Sequence, residues 1–75
     1  MTTSSEVRAV TVDVNGTSRQ LPEGSTIASL LDQLALRPEL VAVERNRELV
    51  RRVRFGETLL AAGDRIEIVE FVGGG

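Results

Sequence analysis

Cysteine, histidine, lysine, tyrosine and tryptophan are all absent from this 75-residue chain. Without cysteine there is no disulfide and no thiol chemistry, and without histidine as well, zinc and haem sites lose their usual ligands. The same absences remove most nucleophiles and general bases that work at neutral pH. Serines and carboxylates remain, but a serine nucleophile needs a neighbouring base. The inventory therefore points away from a stand-alone enzyme and away from a cofactor bound by the chain itself. No stretch is long and apolar enough to span a bilayer, and the polar opening Met1 to Glu6 lacks the apolar region of a signal peptide. A cytoplasmic protein with no membrane role is expected. Aromatic residues are scarce, and eleven acids against nine bases leave a net charge of −2, which argues against nucleic acid as a partner. All nine bases are arginine. Codon usage accounts for that, and so would an advantage in having no side-chain amine beside an activated terminus.

A chain of this length is one small domain, expected to be monomeric alone, with a modest core. Residues 1–8 read as a flexible leader, 9–72 as the folded domain and 73–75 as a flexible tail. Val10, Val12 and Val14 alternate with Ala9, Thr11 and Asp13, the period of a half-buried strand. Asn15-Gly16 is a hairpin turn signal, and Thr17 to Leu21 reads as the returning strand. After the turn cluster Pro22-Glu23-Gly24, either Ser25 or Thr26 is placed to cap a helix running to about Leu36. Its stripe is Ile27, Leu30, Leu31 and Leu34, and Arg37-Pro38 is expected to close it. Leu40 to Glu44 reads as a third strand, Arg45 to Glu48 as a polar connection and Leu49-Val50 as a short return. The irregular stretch from Arg51 to Thr58 is expected to be anchored by Leu59 and Leu60. Ala61 to Asp64 forms a turn and Arg65 to Val72 the last strand. The order predicts an α+β fold: a mixed sheet of four or five strands with one helix across a face, the β-grasp arrangement. Arg51, Arg52 and Arg54, with Arg45 and Arg47 nearby, form either a patch for phosphate or an acidic partner, or a solvated edge balanced by Glu44, Glu48 and Glu57.

In the last strand Ile66 and Ile68 should face the core. The alternation then turns Glu67, Val69 and Phe71 outwards, giving an apolar docking patch of Val69, Phe71 and Val72 beside the tail. The other reading is a β-bulge near Val69 that returns Phe71 to the core. Gly73, Gly74 and Gly75 end the chain. A glycine run at a terminus is often just a frayed end. It also suits a segment threaded through a channel too narrow for side chains. Four residues from Val72 onward reach ~13 Å from the fold. A Gly75 carboxylate presented in this way can be adenylylated by a partner's ATP site and then attacked by sulfur or an amine.

Three stretches resemble the ThiS-type sulfur carriers of thiamine biosynthesis, in the ubiquitin-like ThiS/MoaD superfamily. They are Gly24-Ser25-Thr26 before the leucine-rich helix, Val41 to Asn46, and Gly63 to Val69 running on to Phe71-Val72-Gly73-Gly74-Gly75. The resemblance implies a β-grasp fold and a Gly75 thiocarboxylate that donates sulfur for thiazole formation. It implies a ThiF-like adenylylating enzyme using ATP and magnesium, a persulfide sulfur donor and a ThiG-like thiazole synthase as partners. With the chain ending at Gly75, no protease would be needed to expose the tail. Three features depart from the family: Arg51-Arg52 stands where a Pro-Arg pair is common, Phe55 where tryptophan is, and the seven-residue leader is longer than compact members carry. Two other functions remain in view, a MoaD-like or other carrier or modifier serving molybdopterin, cysteine or tRNA sulfuration, and a β-grasp interaction module that carries nothing.

Overall fold

Five strands and one helix are present in a computed structural model that describes residues 8–71. Strand β1 (Ala9–Val14) and strand β2 (Thr17–Pro22) form the opening hairpin. Asn15 and Gly16 have φ of 52° and 85°, as a type I′ turn requires, and Asp13 Oδ1 accepts the Gly16 N–H at 2.8 Å. Helix α1 (Ile27–Gln33) follows, then strand β3 (Val41–Arg45), strand β4 (Glu48–Val50) and strand β5 (Arg65–Glu70). The sheet order is β2-β1-β5-β3-β4. Only the central β1–β5 pair is parallel. The first and last strands thus lie side by side in the middle, which places the outgoing chain at the heart of the sheet.

The helix begins where the capping chemistry says it should. Thr26 is the cap: its Oγ1 accepts the Ser29 N–H at 3.1 Å while Ser29 Oγ accepts the Thr26 N–H at 2.8 Å. Ser25 instead donates its hydroxyl to the Pro22 carbonyl at 2.7 Å. The first free helix N–H groups, of Ile27 and Ala28, donate to the carbonyls of Thr58 and Phe55. The irregular 51–60 segment is therefore sewn to the helix start by backbone bonds. Phe55 and Leu60 are buried beneath it.

Ile27, Leu30 and Leu31 are wholly buried against Val12, Val14, Leu21, Val43 and Ile66. Leu34 packs only at the margin of this cluster. The helix stops at Gln33, three residues short of the expected Leu36. Ala35 takes a left-handed φ of 59°, the Leu36 N–H donates to the Leu31 carbonyl at 2.9 Å, and the Ala35 N–H donates to Asp32 at 3.1 Å. This is a Schellman closure with alanine in the glycine position. Proline does bias Arg37 to an extended conformation, but one turn after the helix has already ended. Pro38–Leu40 then forms a short 3-10 turn, so β3 starts at Val41 and not Leu40. Arg45 and Glu48, expected in a connection, are paired strand residues flanking a two-residue turn at Asn46-Arg47 with φ of 53° and 72°. Leu59, expected to anchor the irregular segment, is exposed. It is bridged to Thr26 through the backbone, which turns its side chain outwards and leaves Leu60 to fill the core.

Candidate functional site

The β5 strand and what holds it define the site. Its pairing with β3 runs without interruption from Arg45↔Ile66 to Val41↔Glu70, so there is no bulge near Val69. Ile66 and Ile68 are buried, while Val69 and Phe71 are 60% and 54% exposed. The outward reading of Val69 and Phe71 therefore holds. Glu70 also reaches solvent although its parity is that of Ile68, because the sheet ends there. On the outer face Val69 stands opposite Ala42, and Glu67 stands opposite Glu44. Backbone pairing continues to the last described residue, where the Phe71 N–H donates to the Leu40 carbonyl at 2.8 Å. Val72, Gly73, Gly74 and Gly75 lie outside the described residues, as do residues 1–7 of the leader.

Two polar side chains tie β5 to the rest of the fold. Strand β1 is in parallel register with β5 only at Asp13↔Arg65 and Val14↔Ile66. Beyond that point Asn15 substitutes for a strand. Its backbone N–H donates to the Ile66 carbonyl at 2.9 Å, its Nδ2 donates to the Ile68 carbonyl at 3.1 Å, and its Oδ1 accepts the Ile68 N–H at 2.8 Å. A side-chain amide has the donor and acceptor of a peptide group, so Asn15 extends the ladder towards the outgoing tail.

Asp64, at the start of β5, is the second tie and is 6% exposed. It accepts from Arg45 Nε at 2.9 Å, Asn46 Nδ2 at 3.0 Å and the Ala61 N–H at 2.8 Å. Burial alone would raise its pKa, but the Ala61, Asn46 and Arg45 hydrogen bonds and the Arg45 charge together hold it below the ordinary aspartate value. Asn46 closes the network by accepting the Arg65 N–H at 2.9 Å. Sequence pattern marked Asn15 and Asp64 only as turn residues and did not predict the long-range bonds of either, or of Asn46. Asn-Gly and Gly-Asp are turn signals, and nothing in a turn signal tells which long-range partner the side chain will meet.

Among the described residues no cluster of three or more carboxylates could hold a metal, and no helix is long and apolar enough to cross a membrane. Val69 and Phe71 stand as an exposed apolar pair at the end of the central strand.

One helix on a five-stranded mixed sheet with parallel central strands defines the ubiquitin-like β-grasp class. The ThiS family model matches residues 10–75. Two solved structures of the thiamine biosynthesis protein ThiS from Geobacter metallireducens are 33% identical to the chain. The crystal structure has a TM-score of 0.74, covering 88% of this chain and all of that one. The solution structure has a TM-score of 0.73, covering 88% of each. The sulfur carrier protein ThiS of Bacillus subtilis is 48% identical over 50 residues, 67% of this chain and 76% of that protein. The thiazole synthase of Magnetococcus marinus is 42% identical over 64 residues, 85% of this chain. The thiazole synthase of Paramagnetospirillum magneticum is 39% identical over 62 residues, 83% of this chain. The chain spans only 20% and 19% of the length of these two synthases. The chain belongs to the ThiS family.

Proposed function

We propose that this chain is a sulfur carrier for thiazole formation in thiamine biosynthesis, and that its working group is the carboxylate of Gly75. The observation that carries this reading is the family match, which extends from residue 10 to Gly75 and so takes in the glycine tail. Geometry supports it: the central strand β5, clamped by Asn15, leads outward past exposed Val69 and Phe71. A ThiF-like partner docks on Val69, Phe71 and Val72 and receives the glycine tail, which has no side chain to obstruct a narrow channel. A Gly75 oxygen attacks the α-phosphorus of ATP, with magnesium held by partner and nucleotide, and pyrophosphate leaves. The terminal sulfur of a donor's persulfide attacks the acyl carbon and AMP leaves. A thiol then cleaves the resulting acyl disulfide, which leaves the thiocarboxylate on Gly75 and a disulfide on the thiol side. The carrier contributes the handle and the docking surface, and its partners supply catalysis.

Thiazole synthase is the favoured recipient because sequence like this chain's forms about a fifth of two longer proteins bearing that name. The test is growth without thiamine of a bacterial host lacking its own sulfur carrier. The intact chain should restore growth and a chain lacking Gly74-Gly75 should not. Rescue by the truncated chain would rule the reading out.

A further inference from the structure

The hairpin turn at Asn15-Gly16 joins two properties that oppose each other. In this pair the asparagine amide is open to attack by the next backbone nitrogen, because glycine has no Cβ to crowd that nitrogen. Asn15 is also the side chain that holds β5, with Nδ2 donating to the Ile68 carbonyl at 3.1 Å and Oδ1 accepting the Ile68 N–H at 2.8 Å. The only other asparagine, Asn46, is followed by Arg47, whose bulk hinders the same attack.

The fold keeps both reacting groups occupied. The two polar atoms of the Asn15 amide are bound to Ile68, so its plane is set by β5 and is not free to turn onto the next peptide. The Gly16 N–H donates to Asp13 Oδ1 at 2.8 Å, which engages the attacking nitrogen as well. Water is not what is missing. Both residues are exposed, and nothing lies within 4 Å of where a Gly16 Cβ would stand. Ring closure therefore requires the turn to open first, with these three hydrogen bonds broken together.

We propose that Asn15-Gly16 is a site of spontaneous deamidation that the fold holds closed, and that conversion there releases β5 from its tie. In the opened turn the Gly16 nitrogen loses its proton to water or buffer base and bonds to Asn15 Cγ. The Cγ–Nδ2 bond breaks and ammonia leaves. Water then opens the five-membered imide at either carbonyl, giving aspartate or isoaspartate, with nothing oxidised or reduced. In the aspartate product an oxygen replaces Nδ2 opposite the Ile68 carbonyl, so a hydrogen bond becomes a contact between two acceptors. Isoaspartate adds a methylene to the main chain, which a two-residue turn with φ of 52° and 85° accommodates only by shifting its strands. Either product acts where the parallel register of β1 has already ended at Val14↔Ile66. The conversion adds one negative charge and is independent of the Gly75 chemistry.

The experiment incubates the full chain in mildly alkaline buffer, folded and in enough urea to unfold it, and follows both by peptide mass mapping. In urea the mass gain of an amide converted to an acid is expected at Asn15 ahead of any at Asn46. In the folded chain it should be roughly tenfold slower or more, as a reaction through an opened turn requires. The converted chain, separated by its extra charge and returned to native buffer, should exchange the Ile68 and Val69 amides faster than the parent. The Leu30 and Leu34 amides of α1 should keep their protection. Asn15→Asp should reproduce the faster exchange at Ile68. Equal rates in the folded and unfolded chain would overturn the gating. Conversion at Asn46 as fast as at Asn15, or none at Asn15 while an Asn-Gly model peptide converts alongside, would overturn the site. Unchanged exchange at Ile68 in the converted chain, or protection lost throughout with α1 included, would overturn the release of β5.

Discussion

Replacing Asn15 tests how the fold aims its C-terminal strand. The side chain makes two hydrogen bonds, at 2.8 and 3.1 Å, to the N–H and C=O of Ile68, 53 positions away. The residue also sits at φ 52°, where asparagine is tolerated and alanine is strained. Asn15→Gly removes the bonds while relieving the backbone, and Asn15→Ala removes the bonds and adds strain. Each net hydrogen bond contributes about 1 kcal/mol, so the glycine variant should lose about 1–3 kcal/mol, offset slightly by relief of strain. The alanine variant should lose roughly 1–2 kcal/mol more. For a domain of this size each kcal/mol lowers Tm by about 4–8 °C. Urea unfolding gives the global value, and amide exchange at Ile68 and Val69 gives the local one. The local effect should exceed the global one, because the parallel register of β1 already ends at Val14↔Ile66. If Asn15→Gly is as stable as the parent and exchange at Ile68 is unchanged, the clamp is not what holds this strand.

Further outcomes follow from the same geometry. Ala35→Gly should stabilise the fold by about 0.5–1 kcal/mol, because the Schellman position holds alanine at φ 59°, and urea unfolding measures it. Val69→Asp and Phe71→Asp should change stability by no more than about 0.5 kcal/mol, since both side chains are largely exposed. Each should nonetheless weaken binding to an adenylylating partner, read by calorimetry; unfolding by Phe71→Asp would contradict its outward placement. Asp64 has a lowered pKa in the fold, so it adds stability above its unfolded value of 3.8 and loses it as pH falls through the lower folded value. Asp64→Asn should therefore cost stability near neutral pH and flatten the stability profile below about pH 4, followed by urea unfolding at stepped pH.

The parts of this fold governed by local chemistry were legible in the sequence. Asn15-Gly16 gives its turn because both positions need positive φ, and the stripe Ile27, Leu30, Leu31 faces inward because helical spacing allows nothing else. Val69 and Phe71 fall outwards by strand alternation, as an unbroken register with β3 preserves. Elsewhere an unusual backbone conformation or a long-range partner decided the matter. The helix ends at Gln33 because Ala35 accepts a left-handed conformation that composition does not reveal, and Leu59 yields its core place to Leu60 through a bridge to Thr26. The Asn15 clamp and the Asp64 network join residues far apart in the chain, and no turn signal names its partner. The arginines between 45 and 54 were visible as a cluster, but which one is held by a buried carboxylate depends on how β3 and the β5 entry meet.

The central claim concerns the Gly75 carboxylate, and intact-mass measurement tests it most directly. The chain is incubated with a ThiF-like adenylylating enzyme, ATP, magnesium, a persulfide donor and a thiol, then weighed whole. A gain equal to one oxygen exchanged for sulfur, located by fragmentation at Gly75 and absent without ATP, is the predicted result. An unchanged mass, while a ThiS protein is converted by the same enzyme mixture, would contradict the account.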